Sequence, residues 1–199
     1  MPGLLSVMRL AVGILLFFLS LAAPGQTTDV AHGSVSGPGF TITLPESMEM
    51  DVAPTSDLAF GVNLSESTHG HEWDKLPYRY IGISTKWNTD AGSLDELVNG
   101  MIADLPRLVP AELVGDGVLT LASMFPVKLG DLPARRLVLQ FKNRQRKPSI
   151  RQIVVAYRTR HDASPLVYLA TLTTTRDDFQ QDLNLFAKLL AGFKLTPTE

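Results

Sequence analysis

Two groups of side chains in this 199-residue sequence have the types and spacing for chemistry. The first is His69-Gly70-His71-Glu72, with Asp74 following. Two imidazoles at this spacing, with a carboxylate beside them, can share a zinc or copper ion. The helical zinc-protease signature needs a second histidine at position 75, where Lys75 stands. His69, His71 and Glu72 would therefore serve as metal ligands from a loop, and a solvated polar loop is the alternative.

The second group is Lys142, Arg144, Arg146, Lys147 and Arg151, which concentrates positive charge at one hairpin tip. Such a tip can dock on anionic lipid head groups, envelope polysaccharide or an acidic partner. No aromatic residue occurs between positions 143 and 151, which argues against a stacking platform for single-stranded nucleic acid. A solvated hairpin end that resists edge aggregation is the competing explanation. Arg135 and Arg136 are adjacent in an extended segment, so they point to opposite faces and at least one can pair with an acid across the sheet. Trp73 and Trp87 suit a core as well as a ligand platform.

Signals for covalent and nucleotide chemistry are missing. Gly33-Ser34-Val35-Ser36-Gly37 has valine where a nucleophilic serine would stand, and no phosphate-binding, calcium-binding or dinucleotide motif occurs. There is no cysteine, which excludes a disulfide, a thiol nucleophile, an iron–sulfur cluster and a thiolate zinc site. No catalytic residue and no cofactor is assigned. An apolar content of 45% with 19% charged residues fits a globular chain. The net charge of −2 argues against a general nucleic-acid binder. It also conceals an asymmetry, with acids dominating residues 29–116 and bases dominating residues 128–176. If the two halves interleave in one sheet these charges pair; if they separate, the surface is dipolar.

The elements that would position these groups are legible as periodicities. Residues 40–44 (FTITL), 58–64, 78–87, 117–122, 134–142, 150–160 and 166–174 read as strands. Gly130-Asp131-Leu132-Pro133 and residues 143–148 read as turns. Ser93 with Glu96 makes a capping box for a helix whose stripe is Leu94, Leu97, Val98, Met101, Leu105 and Leu108, ending near Leu105 before Pro106. Thr175 is the expected N-cap of a second helix with the stripe Phe179, Leu183, Phe186 and Leu190. Gly192 stands where a left-handed stop is expected, and Phe193 beyond it can fold back on the last turn. The expected fold class is α+β: an α/β/α sandwich with a largely antiparallel sheet of about six to seven strands and two main helices, one on each side.

Residues 10–23 form an apolar run behind Arg9, too short for a bilayer span, which takes about twenty residues. Arg9, the run and the small residues that follow have the three parts of a secretory signal peptide over residues 1–25, with cleavage after Ala22 or after Gly25, and an uncleaved membrane anchor is the alternative. Residues 26–39 then read as a flexible lead-in, and residues 40–199 as one domain without a transmembrane span.

The order of elements, with FTITLP at residues 40–45, GDLPARRLVLQF at residues 130–141 and a closing helix running into Gly192-Phe193, resembles the PsbP/Mog1-like superfamily. It looks most like the bacterial exported branch that includes DcrB-like proteins, over residues 40–195. No tryptophan follows Pro45 as in the commoner form; that aromatic is a packing element. The resemblance implies an exported, non-enzymatic accessory protein of the bacterial periplasm that holds a protein partner or envelope component. It supplies no shared catalytic residues and no nucleic-acid partner. The alternative from another class is a metal-binding protein or metal-dependent hydrolase using His69, His71 and Glu72.

Overall fold

The computed structural model describes residues 33–45, 60–63, 80–87, 90–109, 111, 113–115, 118–160 and 163–197. Along the chain these form β1 (Ser34–Gly37), β2 (Phe40–Thr43), β3 (Phe60–Asn63), β4 (Tyr80–Trp87), α1 (Leu94–Ala103), β5 (Thr120–Leu129), β6 (Leu132–Lys142), β7 (Pro148–Arg160), β8 (Ala163–Thr175), α2 (Phe179–Ala191) and β9 (Phe193–Leu195). A short 3-10 turn, Leu105–Leu108, follows α1 and contains Pro106. With two helices and antiparallel sheets among the described residues, the fold is α+β.

The large sheet runs β3-β4-β8-β7-β6-β5, with every pair antiparallel. Its centre is the β7–β8 hairpin, two strands of 13 residues each. Alternation puts Val154, Ala156, Tyr168, Ala170 and Leu172 on one face, in a core with Phe186 and Leu189 of α2. Leu137, Leu139, Ile153, Val155 and Val167 form the opposite core with Val98 of α1. Strands buried on both faces read as apolar runs rather than clean alternation, as these do.

A second sheet, β1-β2-β9, was not expected from the sequence, which suggested one sheet. Ser34–Gly37, inside the stretch read as a lead-in, pairs with β2. β9 joins the far end of the chain to the same strand, Phe40 opposite Leu195. Phe193 accordingly does not fold back on α2. It is buried in β9, stacks 5.1 Å from Phe40 and meets Tyr168 edge-on at 5.6 Å. The Arg158 guanidinium donates to the Thr196 and Gly39 carbonyls at 3.0 and 3.4 Å, tying the small sheet to the large one.

Both helices form where expected, with corrections at the ends. In α1, Ser93 Oγ accepts from the Glu96 amide at 3.2 Å, while the Glu96 carboxylate accepts from the Gly92 amide at 2.8 Å. α2 begins at Phe179 with Asp178 as N-cap residue. Thr175 instead closes the preceding turn, accepting from the Asp178 amide at 3.3 Å and donating to its carboxylate at 2.6 Å. The helix is also rotated relative to the expected stripe. Asp182, Phe186 and Leu189 are its buried residues, whereas Phe179, Leu183 and Leu190 are half-buried. A buried carboxylate is tolerated here because the Thr174 hydroxyl donates to Asp182. Gly192 is right-handed, at φ −79°, and not the left-handed stop expected. Its need is space: a Cβ there would lie 2.5 Å from the Thr43 carbonyl oxygen of β2.

β5 is longer than the strand read at residues 117–122. Its extension carries Met124, Phe125 and Pro126 without alternation, because an edge strand is exposed on both faces and tolerates a residue lacking an N–H.

Candidate functional site

The β6–β7 hairpin is built on Asn143, which is buried at the turn. Its amide donates to the Lys147 carbonyl at 3.0 Å and its side-chain oxygen accepts from the Lys147 amide at 2.9 Å. The Arg146 amide closes the turn on the Asn143 carbonyl at 2.7 Å, with Arg146 itself left-handed at φ 61°. Behind the turn, the Gly115 amide donates to the Lys142 carbonyl at 2.9 Å, and the backbones approach so closely that a Cβ on Gly115 would sit 2.4 Å from the Asn143 carbonyl oxygen. The turn is thus held by its own Asn and by the Val114–Gly115 segment, where Val114 forms an isolated antiparallel bridge with Asn143. From it Lys142, Arg144, Arg146 and Lys147 are all exposed.

Arg151 is not part of that tip. It follows Ile150 on the strand and so points to the α1 side, where its guanidinium donates to Thr173 Oγ1 at 2.8 Å. There it lines a cleft of about 920 Å³ between α1 and strands β7 and β8, floored by Ile153, Val167 and Leu169. Tyr80 lies close by, its phenol pushed above the ordinary range by burial, against a smaller opposing pull from the Arg151 charge. Its ring lies along its own strand over Gly82, where a Cβ would come within 2.5 Å of ring carbons.

His69, His71 and Glu72 lie outside the described residues, as do Asp74 and Trp73. Trp87 closes β4.

Arg135 and Arg136 diverge as expected. Arg135 faces α1 and pairs with Asp95 at 2.8 Å. Arg136 faces the α2 side and lies over the Phe125 ring, 5.6 Å from its centre. Among the described residues no carboxylate pairs with Arg136, and its Nε is buried without a hydrogen-bond partner. Partial burial lowers the pKa of this guanidinium.

On the same face, nearer the tip, a groove of about 600 Å³ is lined by Val118, Thr120, Gln140, Lys142, Ile150 and Arg176, among others. Val118 is 82% exposed. Arg176 reaches the hairpin because its amide donates to the Pro148 carbonyl at 2.9 Å. Sequence reading did not single out Val118 or Arg176 as site residues. Arg176 lies beyond β8, and only the β7–β8 register brings it beside Pro148. Among the described residues no three metal-ligating side chains converge.

No protein-family model matches the chain, and no curated protein matches it in sequence. Solved structures do. LpqN of Mycobacterium tuberculosis, a protein involved in cell envelope biogenesis, superimposes at a TM-score of 0.54 with 12% identity, over 81% of this chain and 85% of that one. The chain shares that fold. Also similar are the cyanobacterial PsbP of Synechocystis, at 0.47 and 11% identity over 87% and 99% of the two chains, and the yeast Ran-binding protein Mog1p, at 0.46 and 12% over 79% and 90%. The shared fold therefore rests on LpqN, and at 12% identity it carries no function across.

Proposed function

We propose that this chain is an exported, non-enzymatic accessory domain, an α/β/α sandwich of the DcrB-like branch, that holds a protein or envelope component through its β6–β7 hairpin. The observation that carries this reading is the tip itself. Four exposed cations stand on a turn fixed by Asn143 at both its amide and its side chain. A turn that is already ordered loses little conformational freedom when a partner engages it.

Export belongs to the same reading. It rests on a signal peptide over residues 1–25, with the folded domain starting by β1 and running to the C-terminal segment. The likeness to LpqN, a protein of cell envelope biogenesis, agrees with an envelope location such as the bacterial periplasm.

The test is crosslinking of the full chain in its native envelope, comparing wild type with an Arg144→Glu/Arg146→Glu variant. The wild type should give a discrete crosslinked partner that is lost in the variant and weakened by salt. A partner captured equally by both proteins would remove the hairpin from the reading.

A further inference from the structure

We propose that the α2-side surface of β5, β6 and β7, from Phe125 to Lys142, receives an extended acidic segment of a protein partner, Arg136 and Lys142 each taking a carboxylate. This rests on the reading that the chain holds a partner, and it specifies the partner's chemistry. Arg136, Val138, Gln140 and Lys142 alternate onto one face of β6, with Phe125 opposite Arg136 and Ile150 opposite Gln140. The six residue steps from Arg136 to Lys142 span roughly 20 Å at about 3.3 Å each, the length of a seven-residue extended segment. Cations mark the two ends, and Val138, Gln140 and Ile150 lie between them.

Two observations favour an acidic segment. Arg136 is a half-buried charge without a carboxylate among the described residues, and beside the aromatic face its buried Nε has no hydrogen-bond partner. Burying a cation this way costs stability in the free domain, as the lowered pKa reflects. A partner's carboxylate would offset that cost. The apolar residues Val118, Pro148 and Ile150 line the groove below the tip, with Val118 and Phe125 exposed. The tip itself carries only polar and charged side chains between Asn143 and Lys147. A short peptide can lay small apolar side chains along the stretch between the two cations. A nucleic-acid backbone would meet Arg136 and Lys142 separated by the uncharged Val138 and Gln140 instead of a continuous basic track along β6.

The probe is a heptapeptide with glutamate at its first and seventh places, valine at the third and fifth and serine elsewhere, so that all four face one side when extended. Its control has the same composition with the glutamates adjacent. Titrated into the full chain, the spaced peptide should bind about tenfold more tightly than the control, and high salt should weaken it. Arg136→Gln should remove the preference and Arg136→Lys should keep most of it, with the circular dichroism of both unchanged. Equal binding of the two peptides, or a preference that survives Arg136→Gln, overturns the inference. So does binding to phosphatidylglycerol vesicles without discrimination between peptides, which would assign the surface to lipid. Failure of both peptides, with a partner still crosslinked at the hairpin in the envelope, ends this inference and leaves the broader reading standing. Absence of any crosslinked partner removes the broader reading itself.

Discussion

Gly192 shows how one residue can be found in the sequence for the wrong reason. Its place after α2 suggested a left-handed stop, yet its backbone is right-handed and its missing Cβ makes room for the Thr43 carbonyl. Gly192→Ala should therefore destabilise the domain by steric pressure on β2, about 1–3 kcal/mol by denaturant unfolding. A neutral substitution would contradict that close approach. Tyr80 carries a different expectation. Burial raises its phenol above the ordinary 10.0, so the folded state holds the proton more tightly than the unfolded chain. Its contribution is complete below pH 10.0 and is lost as pH rises through the higher folded value. Tyr80→Phe should flatten the alkaline limb of a stability-versus-pH profile and leave the neutral region's slope unchanged. The histidines at 69 and 71 could be recognised only as residue types, because one sequence cannot say whether separated ligands converge.

Among the elements, the helices were the most legible because their signals are local. The α1 stripe is borne out, with Val98 fully buried and Leu94, Leu97, Met101, Leu105 and Leu108 packed around it. For α2 the sequence located the helix and missed its rotation, since the facing arc includes the polar Asp182. Hydropathy alone cannot place an aspartate inside; the Thr174 hydroxyl that receives it lies on another element. Phe186 is fully buried. Phe186→Asp would set an unpaired charge against the sheet, costing well over the 3–5 kcal/mol typical of losing a buried phenylalanine side chain. The expected result is insoluble or non-cooperatively melting protein; a soluble, sharply melting variant would contradict the packing. Edge strand β5 was half read, because exposed strands on an edge need no alternation.

For the whole molecule, the acidic and basic halves of the sequence partly interleave and partly separate. Arg135 of β6 meets Asp95 of α1, joining the two halves across one face. That pair is largely solvated on the Asp95 side, so Asp95→Asn should cost under about 1 kcal/mol in thermal or denaturant unfolding. A larger loss would mean the pair fastens α1 to the sheet. The hairpin cations and Arg176 gather instead at the far end of β6 and β7, giving the surface a positive pole. Among the described residues no helix is long and apolar enough to cross a membrane.

Local patterns in the sequence were enough to specify both helices, most strand segments, the Gly130 and Asn143 turns, and the basic hairpin as an exposed feature. Each of these depends on neighbours within a few residues, through capping, side-chain alternation or turn stereochemistry. Tertiary structure decided what depends on partners far along the chain. It joined β2 to β9 in a separate sheet, turned Arg136 and Arg151 to opposite sides, and brought Arg176 beside Pro148. Those outcomes follow from strand register and from which apolar face finds a matching one, and neither is encoded in any single stretch of residues.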